Sequence, residues 1–319
     1  MCKPLAALCL LGAASVSWGQ GLAAEAAAPQ CGVVTAAVSI NPPPEAAAQR
    51  IPDSQVVAGS RDIAWAWLGS PTSYYPHAAL GSGVHAGSLH VRLAAGDGTQ
   101  ELVYHLPPHR VFEDRLPRLM DLDGDGRDEI LLVESDAHSG AALVVLGVRE
   151  VWRVQREAGA PVLALQEIAR GPQAGAAMRW LNPAGVADFD GDGRLDVASV
   201  TTPHVGGVLT LHHFRPPQLL PYATLSNVSN HRYGEIEQQL AAVLTPPGQR
   251  PTVLVPDQTH SALRSLRWEA PGQWADAAPL LRLSSRVTRL TPLAGLPDAA
   301  PGACAQLADG TWLRLTLAP

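Results

Sequence analysis

Two stretches of this chain gather carboxylates at a spacing suited to holding a hard cation. They are Met120-Asp-Leu-Asp-Gly-Asp-Gly-Arg-Asp-Glu-Ile-Leu-Leu-Val133 and Ala187-Asp-Phe-Asp-Gly-Asp-Gly-Arg-Leu-Asp-Val-Ala-Ser-Val200. Ca²⁺ takes six to eight oxygens at roughly 2.3–2.6 Å, so a short loop must aim several carboxylates at one point and turn sharply. Positions one, three and five supply them: Asp121, Asp123 and Asp125 in the first loop, Asp188, Asp190 and Asp192 in the second. Gly126 and Gly193 permit the positive φ of a sharp turn, and the backbone carbonyl at position seven, Arg127 or Arg194, adds a neutral oxygen. Position nine is Glu129 or Asp196, whereas an EF-hand needs its bidentate acid at position twelve, here Leu132 or Ser199. The flanking runs Ile130–Val133 and Val197–Val200 are apolar and strand-like, which also excludes an EF-hand pair. Four ligand carboxylates within nine residues repel each other unless neutralised, so two calcium ions are expected, one per loop. Magnesium is less suitable, because it dehydrates reluctantly and prefers a tight octahedron.

The elements that would carry these loops repeat. Asp121 and Asp188 lie 67 residues apart, the length of one supersecondary unit. After the first loop come Ile130–Val133, Ala141–Val148 and Val151–Val154, read as three strands following one that precedes the aspartates. Four strands per unit is the size of a β-propeller blade. A worn first unit uses Gln55–Ala58, Ile63–Leu68, Ser88–Ala94 and Gln100–Leu106. A fourth runs from Gln239–Leu244 through Thr252–Val255 and Leu263–Trp268 to Leu280–Leu283. The last offers Val287–Leu293, Ala303–Leu307 and Thr311–Leu317, one strand short. The spare run Gly32–Ile40, before the proline break at Pro42–Pro44, is expected to complete it and cover its open edge. The expectation is therefore an all-β propeller of four-stranded antiparallel blades over residues 55–319, preceded by a segment 25–54. Five blades are counted, and the worn repeats leave six or seven open.

The pattern Ala-Asp-Phe-Asp-Gly-Asp-Gly-Arg-x-Asp followed by a strand resembles the FG-GAP and VCBS repeats of integrin α-subunit propellers and of many exported bacterial proteins. The likeness is specific over Leu119–Leu146 and Gly185–Leu211 and faint elsewhere. It implies that the loop between a blade's first two strands holds calcium, a role that falls on the five positions named in each loop. Thr245-Pro-Pro-Gly-Gln-Arg-Pro251 has no carboxylate and Gly59-Ser-Arg-Asp62 has one, so no ion is expected in those units.

Histidine recurs at the turn after each unit's second strand, as His85, His138, His204 and His260. Such a row suits a metal-binding or pH-sensing ring, but a turn-capping side chain repeated by duplication explains it more simply, and different blades should hold the imidazoles too far apart for one ion. Polar and aromatic loop residues give a candidate ligand set: Tyr75, His77, Arg179, Trp180, Asn182, His204, Asn230 and His231. The sequence holds no Gly-x-Ser-x-Gly elbow, His-Glu-x-x-His, phosphate loop or Cys-x-x-Cys. Acid pairs such as Glu113 and Asp114 suit glycoside chemistry only if their carboxyls lie roughly 5–10 Å apart.

The N-terminus has a signal-peptide layout over residues 1–24: Lys3, an apolar run from Leu5 to Val16, then small residues from Ala23. Lys3 is the only lysine, so its removal leaves arginines alone among the basic residues, against 29 acidic ones. Nucleic acid and anionic membrane are poor partners for such a chain, and Schiff-base chemistry is excluded. No stretch reaches the roughly 20 apolar residues of a membrane span. Of four cysteines only Cys31 and Cys304 outlast the signal, open to one disulfide or to two buried thiols. These readings converge on an exported module, periplasmic or extracellular, that binds a protein or glycan without catalysis. The alternative is a propeller hydrolase or lyase acting on carbohydrate.

Overall fold

The computed structural model describes residues 22–26, 31, 42–94, 100–151, 161–270, 272–293 and 302–317. Its described elements are all strands apart from the short helix α1 (Pro44–Gln49), which places the last of the three prolines at its first position, where no N–H is needed.

Twenty of the 21 strands among the described residues fall into five antiparallel sets of four. The first holds β2 (Val57–Ala58), β3 (Ile63–Thr72), β4 (His85–Leu93) and β5 (Glu101–His105). Next come β7 (Arg118–Met120), β8 (Glu129–Asp136), β9 (Gly140–Val151) and β10 (Val162–Arg170). The third is β11 (Leu181–Ala187), β12 (Asp196–Thr201), β13 (Val208–Arg215) and β14 (Gln218–Ser226). The fourth is β15 (Ala242–Leu244), β16 (Thr252–Pro256), β17 (Ala262–Ala270) and β18 (Gln273–Arg282). The fifth runs β19 (Val287–Pro292), β20 (Gly302–Leu307), β21 (Trp312–Leu317) and β1 (Leu22–Ala26). The remaining strand, β6 (Arg110–Phe112), pairs with both β4 and β8, and a single parallel bridge, Arg170↔Gln218, joins β10 to β14. These links merge the first three sets into one 13-stranded sheet, and the other two sets stand as separate sheets.

Two sequence expectations need correction. The fourth strand of the second set is Val162–Arg170; Val151, expected to open a strand Val151–Val154, instead ends β9 in register with Val162, and residues 152–154 lie outside the described residues. The place beside β21 is filled by Leu22–Ala26, which pairs Leu22↔Leu317 through Ala26↔Leu313. Gly32–Ile40, expected there, lies outside the described residues. Leu22, Ala23 and Ala24 of β1 belong to the segment expected to leave as a signal, so this strand straddles that boundary. Cys31 and Cys304 form a disulfide with Cα atoms 5.6 Å apart, both fully buried beside Trp312.

The core consists of layers between neighbouring sets rather than one centre. On β8, Ile130 and Leu132 pack with Leu68 and Leu89 of the first set, while Leu131 and Val133 face Trp180, Leu181 and Val197 toward the third. This is the period-2 alternation of a strand covered on both faces, and it explains why Ile130–Val133 reads as an unbroken apolar run within a strand whose every residue is buried. Val200 and Leu211 meet Val253 and Trp268, and Leu254 and Leu263 meet Leu290 and Leu315, in the same way. Each fully buried aliphatic side chain contributes roughly 1.5–3 kcal/mol, and most of the strand contacts between sets join neighbouring ones, as in repeat proteins.

Candidate functional site

Each acidic loop sits between the first and second strands of its set, and both close on the same register: Met120 opposite Glu129, Ala187 opposite Asp196. Their internal hydrogen bonding also matches. Asp121 Oδ1 accepts from the Gly124 N–H at 2.7 Å and its Oδ2 from Gly126 at 3.0 Å. Asp188 accepts from Gly191 at 2.7 Å and from Gly193 at 2.9 Å. Gly126 and Gly193 have φ of 85° and 84° with open space where a Cβ would sit, so backbone conformation, not crowding, requires glycine.

In the first loop one oxygen each from Asp121, Asp123 and Glu129 lies within 4.8 Å of the others. Asp125 stands outside this group and accepts the Arg127 N–H at 2.8 Å. Glu129 is fully buried; its Oε2 accepts the Leu122 N–H at 2.9 Å, and burial pushes its carboxyl above the usual range. Two arginines offset the charge. Arg149 Nη2 lies 3.1 Å from Glu129 and 3.7 Å from Asp123, and Arg61 Nε is 3.5 Å from Asp121. The β2–β3 turn clasps this loop, since Asp62 accepts the Asp128 N–H at 2.8 Å and Asp128 pairs with Arg61 at 3.0 Å. Asp62, the one carboxylate of that turn, is thereby engaged in holding its neighbour.

The second loop converges twice, through Asp188, Asp190 and Asp192, and through Asp190, Asp196 and His213. Asp196 is fully buried, held by His213 Nδ1 at 3.1 Å and by the Tyr222 hydroxyl at 2.9 Å, and burial raises its carboxyl. Arg194 donates its backbone N–H to Asp192 at 2.9 Å, whose other oxygen pairs with Arg215 at 2.6 Å. A cleft of about 510 Å³ runs between the loops, lined by Asp121 and Asp123 on one side and Arg194 and Arg215 on the other.

Arg149 and His213 are absent from the sequence reading. The signal that would have found them is register: Glu129 pairs with Gly147 and Asp196 with His213, so Gly147-Val148-Arg149 and His213-Phe214-Arg215 occupy equivalent places.

Strands β8 and β12 run from the acidic loops to turns carrying His138 and His204, so those turns lie at the far end of the sets. Five of the eight candidate ligand residues meet there. His77 Nδ1 lies 2.7 Å from Glu113, and Glu113 also accepts the Ser135 hydroxyl and, through its carbonyl, Trp180 Nε1. Trp180 stacks on His204, whose Nε2 lies 2.8 Å from His231 Nδ1. The Tyr75 hydroxyl accepts the Met178 N–H, and burial followed by the Glu113 charge pushes it up to about 12. Asn182 and Asn230 form a buried clasp, each donating to the other's backbone carbonyl, and Arg179 is exposed at the rim.

Burial corrects the expected role of these side chains. Tyr75, His77, Trp180, Asn182, Asn230 and His231 are all less than 8% exposed, so they build the face without forming its surface. The exposed apolar groups are instead Tyr74, Met178, Val205, Tyr233 and Ile236. Of the recurring histidines, His85 and His260 are buried and the His138 side chain is 84% exposed, so the four do not share one environment. Burial, reinforced by neighbouring imidazoles, lowers His204 to about 4 and His231 to about 3.

No family model and no curated protein matches this sequence. Among the described residues no helix is long and apolar enough to cross a membrane.

Proposed function

We propose that the five sets are blades of an exported β-propeller of the FG-GAP and VCBS type, stabilised by two calcium ions and binding a protein or glycan at the end away from the acidic loops. The observation that carries this reading is the duplicated loop: same register, same hydrogen bonds to the first aspartate, same pair of positive-φ glycines. Asp121, Asp123 and Glu129 offer hard oxygens at one point, which fits calcium, with the Arg127 carbonyl next in line. The exposed Tyr233, packed against His77 and His204, is the natural anchor for a partner.

A hydrolase reading would start from the His77–Glu113 pair, but Glu113 is fully buried and His77 is 7% exposed, which leaves neither open to a sugar. Calorimetry on the full mature chain is expected to count two calcium ions, and one after Asp121→Ala, Asp123→Ala and Asp125→Ala together. Two sites retained in that variant overturn the assignment. Saturating calcium should also raise stability by about 2.7 kcal/mol at one hundred times Kd, reversed by chelator. A glycan array probed with native chain and with Tyr233→Ala tests the far face; equal binding by both removes Tyr233 from it.

A further inference from the structure

The two loops share a backbone but not a donor set. Where the first has Gly147, the second has His213. A Cβ at 147 would stand 2.4 Å from Ile168 Cδ1 and 3.1 Å from the Arg149 guanidinium, which lies over this glycine as it reaches Glu129. In the second loop an imidazole stands at the equivalent register position, and the equivalent Arg215 pairs with Asp192 instead. A guanidinium has no lone pair to give a metal, whereas neutral imidazole is a good ligand for zinc-class ions.

Resting on the reading of both loops as cation sites, we propose that they are chemically distinct: the first takes only a hard cation, and the second takes a zinc-class transition ion through His213 Nδ1, Asp190 and Asp196. The His213 Nδ1 atom lies 3.1 Å from Asp196 and 3.8 Å from Asp190. Two atoms bound to one such ion at about 2.0–2.2 Å stand at most about 4.4 Å apart, so both separations suit a shared ion. The supporting contacts are in place too. Tyr222 holds the second oxygen of Asp196 and stacks on the His213 ring at 4.0 Å between centroids, fixing both ligands as outer-shell partners do in metal sites.

The test titrates zinc into full mature chain held in excess calcium, with cobalt(II) ligand-field absorption as a second readout. One zinc per chain is expected, still present after the triple alanine change in the first loop. His213→Ala should weaken zinc by roughly 100-fold or more while two calcium ions still bind, which also shows that the variant is folded. Unchanged zinc affinity in His213→Ala overturns the proposal, since the ion would then sit elsewhere. Two calcium ions with no zinc overturn it while leaving the cation loops standing; neither metal binding overturns both.

Discussion

At one end of the strands, carboxylates stand close together near the surface: Asp121, Asp123, Asp188, Asp190 and Asp192 within two loops of identical backbone. At the other, His204 and His231 crowd against Trp180 and each other, His260 lies close enough to act on both, and burial holds the three neutral. Both ends bring ionisable groups together, but one keeps its charge beside arginines, and the other removes charge by desolvation. On the proposed reading the acidic end responds to metal, and the imidazole end responds to acid. Strands β8 and β12 connect one to the other, so the two sensitivities can be measured on the same unfolding transition.

The sharpest break in that comparison is Trp180→Ala. Trp180 is 1% exposed, fills the layer between the second and third sets and donates to the Glu113 carbonyl at 3.0 Å. Its loss should cost about 3–5 kcal/mol by urea unfolding, with or without calcium. A cost that vanished on adding calcium would show that the ends are not separable.

Acid should act next. His231 sits near 3 and His260 near 4, below the usual 6.5. His231 faces the His204 and His260 imidazoles and the Glu235 carbonyl, and His260 faces Arg232, Arg286 and Asp257. The unfolded chain takes up these protons near pH 6.5 and the folded one only at about 4 for His260 and about 3 for His231, so stability is whole above 6.5 and falls as pH drops through that window. About 3 kcal/mol is expected for His260 alone, at 1.36 kcal/mol per unit. Urea midpoints at pH 7 and 4.5, in chelator, measure the loss, and His260→Gln should flatten it. An unchanged midpoint would mean that water reaches the rings.

How much of each end was legible follows from the same difference. The acidic loops are contiguous, their glycines and aspartates fixed by local φ and local hydrogen bonds, so residues 121–129 and 188–196 could be read directly. Strand positions such as Ile63, Thr252 and Val287 were legible because apolar runs bounded by Gly and Pro mark them. The imidazole end is assembled from segments far apart in the chain: His77 meets Glu113, and Trp180 meets His231. Composition suggested those loops, but not that their aromatic residues turn inward while Tyr74, Val205 and Tyr233 stay out. Arg149 and His213 lie between these cases, reachable only once cross-strand register is known. The strand Leu22–Ala26 was hidden because alanine-rich sequence carries little strand preference of its own.

The smallest expected effect probes the acidic end alone. Arg149 neutralises Glu129, which is fully buried, yet its own side chain is 27% exposed, so solvent screens part of the attraction. Arg149→Ala should therefore cost only about 1 kcal/mol in chelator, more than a surface pair and less than a fully buried one. In calcium the cost should shrink, because the guanidinium and the ion compete for the oxygens of Glu129 and Asp123, and removing one favours the other. The same substitution should thus tighten calcium at the first loop while weakening the metal-free fold. Arg215→Ala offers the matched control, since Arg215 pairs with Asp192 and leaves Asp196 to His213 and Tyr222. If Arg149→Ala lowers melting temperature equally in calcium and in chelator, Arg149 is not a stand-in for the cation, and the two loops differ in sequence without differing in how they meet their charge.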